Sequence, residues 1–428
     1  MSKKIHLMID AQMLRHALKK SVTRTGIFWT TLELIHAMQK RSDLQLTLYS
    51  SSTNAIILKK AIRTCLPELK GIPVFIHKDT AYFFKWFSYL ATLPPSFYKT
   101  YWYIRFLLRK IRSTFVIIPN STALTKTDVF LSPIYATPPW LDNYPKIKKW
   151  ICVYDTIPLV IPEYFKDMKN LHSWFVELLE YMKSHNDTSY FSISNATKND
   201  FIKFIQGLKP EQIAITPLAC ADRFHPYSKE DTTKSLKKYN IPTDKKYVFS
   251  LCSLEPRKNL IRAVKTFVEF IKKNKIDDMV FVLGGGHWED FIGKLDAEIS
   301  DLGNYKDKII KAGYIDDEDL APLYSGAEWF VYTSQYEGFG LPPLEAMACG
   351  CPVITSNNSS LPEVVGDAGI MIDWDSDEQH VAAYETYYFH PELREQNRQK
   401  GLARAKEFSW DKTVDLMVEQ FNNDLQES

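Results

Sequence analysis

Short apolar runs alternate with longer segments of helical periodicity along the first half of the chain. The apolar runs, which predict strands, cover residues 5–9, 44–49, 128–131, 149–154, 190–194 and 213–218. Residues 26–39 and 163–183 instead repeat apolar positions every three or four residues, which predicts helices. Strands separated by helices of this length form βαβ units, so the pattern predicts a parallel sheet.

The same alternation begins again after a polar segment. Residues 223–246 carry two prolines, many charges and little periodicity, which predicts a linker. Beyond it, strands are predicted at residues 247–253, 279–283, 309–312, 328–332 and 352–355. The sequence therefore predicts an α/β protein with two doubly wound, Rossmann-like domains, residues 1–222 and 247–408, that face each other across a cleft. Ligands of such sheets bind at the carboxyl ends of the strands.

Composition narrows the class of protein. An apolar content of 45% and a charged content of 24% in 428 residues are typical of a globular chain and exclude disordered or collagen-like classes. No run of about 18 apolar residues predicts a membrane span, and the start lacks the apolar core of a signal peptide. The six cysteines show neither a CxxC pair nor a zinc-type spacing. We therefore expect a protein of the reducing cytoplasm.

The charge is distributed unevenly. The formal net charge is +2, yet residues 80–127 contain seven basic residues and no acidic one. A predicted insertion at about residues 80–115 is also rich in aromatic side chains, and its segment from Tyr82 to Arg112 has two interpretations. It either lies on an anionic membrane surface, with Trp and Tyr at headgroup depth, or packs on the first domain with a solvated basic edge. A positive charge this local argues against general nucleic-acid binding.

The densest motif, Tyr336-Glu-Gly-Phe-Gly-Leu-Pro-Pro-Leu-Glu-Ala-Met-Ala-Cys-Gly350, follows a predicted strand and opens a helix. Gly338 and Gly340 let backbone N–H groups approach a ligand, and a helix N-terminus favours an anion. The carboxylates of Glu337 and Glu345 can accept hydrogen bonds from a polyhydroxyl ligand. The alternative is a tight turn before a capped helix, which the two glutamates and two prolines make the less favoured interpretation.

A second motif, Ser253-Leu-Glu-Pro-Arg-Lys-Asn-Leu260, follows the first strand of the second domain. Arg257 and Lys258 stand where this strand passes into a helix. Because cations oppose the helix dipole at that end unless an anion binds, we expect a diphosphate site here rather than two solvated charges.

These motifs resemble those of family 4 glycosyltransferases. The resemblance rests on segments 255–260, 313–327, 337–354 and 357–369, and more weakly on 155–165 and 194–198. It implies the two-domain GT-B fold, a nucleoside diphosphate sugar as donor and retention of the anomeric configuration. It also implies that the last segment, 409–428, crosses back to the first domain and forms a hinge with the linker.

By this resemblance, the donor lies mainly on the second domain. Arg257 and Lys258 would hold its diphosphate, and Glu345 would hold its ribose hydroxyls. Glu337, with the backbone amides of the glycine motif, would hold the sugar and phosphate. The other implied donor-binding residues are Gly26 beside the diphosphate, Tyr314 and Ile315 beside the base, and the backbone of Gly338, Phe339, Gly340 and Leu341.

Two positions depart from the family pattern. Thr25 replaces the first of two adjacent glycines, so this loop is expected to approach the diphosphate less closely. Tyr154 replaces a histidine, and a phenol with a reference pKa near 10 is a poor acid or base at neutral pH. Asp155 therefore becomes the catalytic candidate of the first domain, although it is about equally suited to cap the following turn. The catalytic candidates are then Glu337, Lys258, Arg257 and Asp155.

Neither a metal nor another cofactor is expected, since no Asp-x-Asp pair lies in a credible metal-binding loop. Departure of a nucleoside diphosphate develops negative charge on phosphate, which positioned cations and N–H groups stabilise. In the mechanism proposed for the family, the leaving phosphate itself takes the proton of the incoming hydroxyl.

The sequence thus predicts a retaining hexosyltransferase that acts on a glycan or lipid-linked acceptor in cell-surface polysaccharide synthesis. Its expected location is the cytoplasm, or the inner face of the plasma membrane as a peripheral protein. GDP-mannose as donor rests only on similarity to bacterial surface-polysaccharide mannosyltransferases. The alternatives are a GT-B epimerase or phosphorylase, or a catalytically silent glycan-binding subunit.

Overall fold

The structure, a computed structural model, describes residues 4–18, 26–77, 122–165, 172–253, 255–286 and 289–426. The predicted insertion at 80–115, and with it the membrane interpretation of residues 82–112, lies outside the described residues. The described chain forms two parallel sheets, each flanked by helices. The prediction of two Rossmann-like α/β domains is therefore confirmed.

The first sheet has seven strands. They are β1 (Ile5–Asp10), β2 (Leu44–Ser51), β3 (Val74–His77), β4 (Val129–Ser132), β5 (Lys148–Val153), β6 (Thr188–Ser192) and β7 (Ile213–Ile215). Their order is β3-β2-β1-β4-β5-β6-β7, and every neighbouring pair is parallel. The order reverses between β1 and β4, which places a crevice at the carboxyl ends of these two strands.

Helices connect these strands. They are α1 (Gly26–Gln39), α2 (Ser52–Thr64), α3 (Thr122–Lys126), α4 (Ile157–Val160), α5 (His172–Ser184) and α6 (Asn195–Phe204). The described part of the predicted helix 163–183 differs from the prediction, because it consists of a 3₁₀ turn, Pro162–Phe165, and the separate helix α5.

The segment 223–246, predicted as a linker, contains helix α7 (Lys229–Lys238). The Ser228 side chain caps this helix by accepting a hydrogen bond from the backbone N–H of Asp231. Lys238 and Ser235 bind Asp319 of the second domain, at 2.5 and 2.6 Å. The predicted linker thus contains a helix that the sequence pattern does not reveal, because a mostly polar helix with few buried positions shows little apolar periodicity.

The second sheet has six strands in the order β10-β9-β8-β11-β12-β13, again all parallel. They are β8 (Lys246–Leu251), β9 (Met279–Gly284), β10 (Ile309–Gly313), β11 (Trp329–Tyr332), β12 (Val353–Ser356) and β13 (Gly369–Ile372). The helices of this domain are α8 (Leu260–Asn274), α9 (Glu289–Ser300), α10 (Asp317–Gly326), α11 (Leu341–Ala348), α12 (Leu361–Val365), α13 (Asp377–Phe389) and α14 (Pro391–Ala405).

The last helix, α15 (Trp410–Gln426), leaves the second domain and packs on the first. Phe421 is fully buried there, with its ring 5.9 Å from Trp150 and 5.6 Å from Phe191. The indole N–H of Trp150 also donates to Asp424 at 3.0 Å. None of the described helices is both long and apolar enough to cross a membrane.

Candidate active site between the two domains

The candidate site lies where the strand order of the second sheet reverses. β8 and β11 are neighbours there, and each is followed by a loop that carries one of the two motifs. The loop after β8 forms a 3₁₀ turn, Pro256–Lys258, which ends at Asn259 in the left-handed conformation. The loop after β11 leads through Gly340 into α11. The backbone N–H of Gln335 donates to the carbonyl of Arg257 at 2.7 Å, so the two motifs are in direct contact.

Glu337 is the centre of a buried ion-pair cluster. Its Oε1 lies 2.5 Å from Nζ of Lys258 and 3.0 Å from Nη1 of Arg257. Arg257 also pairs with Glu255 at 2.9 Å, and Lys258 donates to the hydroxyl of Tyr332 at 2.7 Å. Glu337 and Lys258 are each only 7% exposed. Burial alone would raise the pKa of Glu337, but the charges of Arg257 and Lys258 hold it well below its usual range.

This ion-pair cluster keeps hydrogen-bonding capacity for a ligand. A lysine ammonium has three N–H groups, and Lys258 donates two of them to Tyr332 and Glu337. The two cations face two carboxylates, so their charges are compensated inside the protein before any anion binds. The cluster is thus a preformed pair of cations whose geometry does not depend on a ligand.

The glycines of the longer motif bring its loop against the first domain. A Cβ added to Gly338 would lie 2.1 Å from the carbonyl oxygen of Tyr154 and 2.9 Å from Cβ of Asp155, so no larger residue fits. Gly340 has a φ of +126°, which other residues rarely adopt, and it directly precedes α11. In this structure, the close backbone approach of Gly338 is made to the first domain.

Asp155 follows β5 and faces the ion-pair cluster from the first domain. Its Oδ1 accepts a hydrogen bond from the backbone N–H of Ile157 at 3.1 Å, as the turn-capping interpretation requires. Burial raises the pKa of Asp155, and the nearby charges of Arg257 and Lys258 oppose this rise. The turn-capping hydrogen bond is therefore present, and the catalytic role of Asp155 stays a prediction.

Tyr154, the residue that replaces the family histidine, contacts the apolar cores of both domains. Burial raises the pKa of its hydroxyl far above the ordinary value. The phenol therefore stays protonated and does not serve as a base near neutral pH.

Glu345 lies on α11, apart from the contacts of the ion-pair cluster. Its Oε2 accepts a hydrogen bond from the Tyr324 hydroxyl at 3.4 Å. Burial raises the pKa of Glu345 to about 7, against the opposing positive charge of Arg223. The two glutamates of the motif thus differ in chemistry, since Glu337 is firmly ionised and Glu345 titrates near neutral pH.

The other predicted donor-binding residues lie at several loops. Ile315 is buried after β10, and a Cβ added to Gly284 would come within 3.1 Å of its side chain. The ring of Phe339 packs 5.9 Å from that of Phe408, so the side chain belongs to the core, and its carbonyl accepts a hydrogen bond from the Ser360 hydroxyl at 2.6 Å. Gly26 starts α1, and no atom of the described residues lies within 4 Å of the position of a Cβ there. The two remaining residues, Tyr314 after β10 and Leu341 at the start of α11, are half-buried.

Arg223, which no sequence motif identifies, stands between the domains. Its guanidinium carbon lies 5.2 Å from the ring centre of Trp29 on α1 and 4.8 Å from that of Phe224. Within the described parts of the chain, its buried Nε has no hydrogen-bond partner. A single arginine in a polar segment gives no sequence signal of this kind, because the aromatic partner comes from a distant helix.

No group of three or more His, Cys, Asp or Glu side chains in the described residues is arranged to hold a metal ion. The expected independence of metal stays a prediction.

The second domain is similar to known glycosyltransferases. Residues 231–404 match the family model described as glycosyl transferases group 1. Over 221 residues, 51% of this chain and 56% of the relative, the sequence is 35% identical to an O-antigen chain mannosyltransferase B of Escherichia coli. It is 29% identical over 296 residues to the serotype-specific mannosyltransferase WbdA of the same species, across 67% of this chain and 35% of that one. The matches thus span about half and a third of these relatives.

Solved structures extend the likeness to the whole fold. HepE from Anabaena, in complex with UDP and glucose, superposes with a TM-score of 0.63 at 15% identity, covering 98% of this chain and 99% of that one. WaaG, a glycosyltransferase involved in lipopolysaccharide biosynthesis, gives a TM-score of 0.62 at 13% identity, covering 97% and 99%. The chain therefore has the GT-B fold, its residues 231–404 match the model of the group 1 glycosyl transferases, and its motifs resemble those of family 4 glycosyltransferases.

Proposed function

We propose that this protein transfers a hexose from a nucleoside diphosphate sugar to a glycan or lipid-linked acceptor, with retention of the anomeric configuration. We further propose GDP-mannose as the donor and cell-surface polysaccharide synthesis as the setting. The mannosyltransferase and O-antigen names of two relatives support the sugar and the setting. The UDP and glucose bound to HepE support a nucleotide-sugar donor in general.

The observation that carries the proposal is the buried cluster of Glu337, Lys258 and Arg257. It lies at the β8/β11 switch point, where the strand order of the second sheet reverses. When the bond from the anomeric carbon to the diphosphate breaks, negative charge grows on the phosphate oxygens. Among the described residues Lys258 donates two of its three N–H groups, so one is left for a ligand, and Arg257 adds a fixed positive charge beside it. Cations already held in place stabilise this charge without reorganising, which is the largest usual contribution to such catalysis.

The carboxylates of the longer motif have complementary tasks in this proposal. Ionised Glu337 accepts a hydrogen bond from a hydroxyl of the donor sugar, while Glu345 accepts those of the ribose. Asp155 approaches the sugar from the first domain. The proton of the acceptor hydroxyl passes to the leaving phosphate, so the protein needs no dedicated base and no metal ion.

The direct test is transfer by the purified protein from GDP-mannose, with UDP-glucose as the competing donor and a lipid-linked or free glycan as acceptor. Product analysis should show an anomeric configuration equal to that of the donor. Turnover should be lost in Glu337→Ala and kept in Glu392→Ala, a control that removes an exposed carboxylate of the same domain. Turnover of a sugar phosphate with inorganic phosphate, or an isomerised sugar without an acceptor, would contradict transferase activity.

We also propose that the protein acts as a peripheral protein on the inner face of the plasma membrane, through the aromatic and basic segment 82–112. Seven basic and no acidic residues between positions 80 and 127 support an attraction to anionic lipid. Sedimentation with phosphatidylglycerol vesicles should recover the protein at low salt and release it at high salt. An equal recovery with neutral phosphatidylcholine vesicles, or none with either lipid, would refute this part of the proposal.

A further inference from the structure

Two sequence motifs without a part in the ion-pair cluster meet across the domain boundary. Residues 194–198 begin α6 of the first domain, and residues 357–369 include α12 of the second. Glu363 on α12 is 168 positions from Asn195 in the chain, yet it contacts the first turn of α6 directly.

The contact is made by both oxygens of one carboxylate. Oε2 of Glu363 accepts hydrogen bonds from the backbone N–H and the side-chain amide of Asn195, at 2.8 and 2.9 Å, and Oε1 accepts from the backbone N–H of Ala196 at 2.7 Å. The first N–H groups of a helix have no acceptor inside the helix, and its N-terminus attracts negative charge. The first domain itself supplies one cap, from Thr197 N–H to Ser194 Oγ at 3.0 Å. Glu363 of the second domain supplies the acceptors for the two preceding amides.

Helix α6 and its N-cap residue Ser194 are also hydrogen-bonded to the loop that carries Glu337. The hydroxyls of Ser194 and Thr197 donate to the carbonyl of Gly338, at 2.7 and 3.2 Å. On the other side of Glu337, the Tyr336 hydroxyl donates to Oδ2 of Asp200 on α6.

The last of these contacts reaches Asp155 as well. The hydroxyl of Thr156, the next residue, donates to the same oxygen of Asp200 at 2.7 Å. Helix α6 is therefore bonded to the residues on both sides of Glu337 and to the neighbour of Asp155. The bonds to Tyr336 and Gly338 cross the domain boundary, so they form only while the domains are arranged as in this structure.

We propose that Glu363 is a positioning residue for the transfer reaction, an inference that rests on the proposed function. By capping α6 from the opposite domain, its carboxylate holds the two domains in register, and α6 in turn holds the Glu337 loop facing Asp155. A carboxylate is required because three N–H donors converge on two oxygens and on the positive end of the helix. Glu363 acts through α6 and does not touch the donor or the reacting atoms.

The test compares Glu363→Gln with Glu363→Asp and with the control Glu392→Gln. Glu363→Gln keeps the size but replaces one acceptor oxygen by an N–H donor, so kcat should fall at least tenfold. The Kd of GDP should change less than twofold, because the nucleotide lies on the second domain. Glu363→Asp should recover part of the loss in kcat, and Glu392→Gln should match the wild type. A kcat of Glu363→Gln within twofold of the wild type, or an equal loss of kcat and GDP affinity, would overturn the proposal.

A second readout does not depend on turnover. Hydrogen exchange at the amides of Asn195 and Ala196 should speed up at least tenfold in Glu363→Gln, with GDP present. Unchanged exchange refutes the positioning role even if no sugar transfer is found. Faster exchange in Glu363→Gln, together with a wild type that transfers no sugar from any donor, supports the contact and refutes the proposed function instead.

Discussion

The two sheets share one strand order, but different side chains stand at their switch points, where the strand order reverses. At the β8/β11 switch point, Glu337 is compensated by two buried cations. At the β1/β4 switch point, the buried carboxylate of Asp10 accepts hydrogen bonds from the backbone N–H and the side-chain amide of Gln12, both at 3.0 Å. Gln12 Oε1 in turn accepts bonds from Ser51 and Asn54, each at 2.8 Å. The site at β8/β11 is built from ion pairs. At the β1/β4 site, uncharged donors form hydrogen bonds to a single carboxylate.

The pKa values show what this difference means. The charges of Arg257 and Lys258 overcome the burial of Glu337 and hold its pKa low. Burial dominates at Asp10 and raises its pKa to about 6, although the Gln12 hydrogen bonds and the charge of Arg15 oppose it. The same topology thus offers a crevice in both domains, but among the described residues paired cations stand only at the second, where we propose that they meet the leaving diphosphate. The strand order fixes where a crevice forms, and the charges of the side chains beside it determine which ligand it can bind.

The largest effect is expected from removing a cation of the second site. Lys258→Ala should lower kcat/KM by about a thousandfold, because a donor to the leaving group is lost from a buried, preorganised position. Steady-state kinetics with the donor should show this loss, while circular dichroism confirms folding. Lys234→Ala, which removes an exposed ion pair with Glu230, is the matched control. A near-normal kcat/KM in folded Lys258→Ala would contradict the proposal that Lys258 stabilises the leaving diphosphate, and the two switch points would then not differ in this function.

A smaller effect is expected at Glu345. Its pKa of about 7 means that the carboxyl gains charge between pH 6 and 8, and a charged acceptor binds hydroxyls more strongly. The KM for the donor should therefore fall as the pH rises through 7. Glu345→Gln should raise KM about tenfold at pH 8 and remove this pH dependence. A wild-type KM that is flat from pH 6 to 8 would contradict the proposed ribose contact.

At the first-domain switch point, the effect on turnover should be smaller still. Asp10→Asn should lower kcat/KM less than tenfold, because the residue has no place in charge stabilisation. Since the folded-state pKa of Asp10 is raised, wild-type stability should fall as the pH rises from about 4 to about 6. Urea unfolding should show a weaker fall in Asp10→Asn over that range. A thousandfold loss of turnover would make the two switch points equivalent.

The smallest effect is expected from metal removal. The proposed chemistry relies on Lys258 and Arg257, so transfer should proceed at an unchanged rate after dialysis against EDTA. Adding Mg²⁺ or Mn²⁺ should not raise it more than twofold. An inactive dialysed enzyme that recovers with one of these ions would show that the cations of the second site are insufficient.

Much of this fold follows from the sequence pattern, and the exceptions have physical reasons. Apolar runs predict the central strands because both faces of a parallel sheet are buried. The edge strands β3 and β13 are not among the predicted strands, since most of their described side chains are only half-buried and the buried strands give the clearer apolar signal. Helix α7 was not predicted, because its surface is mostly polar and its stability comes from contacts such as that of Lys238 with Asp319.

The sequence predicts some residues of the candidate site and misses others. Arg257, Lys258 and Glu337 occupy compact motifs, and adjacent parallel strands bring such motifs together. The contact of Glu363 with Asn195 depends on how two domains meet, and Arg223 becomes notable only through Trp29. Neither relation is encoded in local spacing.

The central claim, that the β8/β11 switch point is the diphosphate site, is tested most directly by nucleotide binding. The thermal unfolding of the wild type and Lys258→Ala should be measured with increasing GDP and, separately, UDP. At 100 times its Kd, a true ligand stabilises the wild type by about 2.7 kcal/mol. We predict such a shift with at least one nucleotide in the wild type and its loss in Lys258→Ala at the same concentration. Equal shifts in both proteins, or none in the wild type with either nucleotide, would contradict the claim.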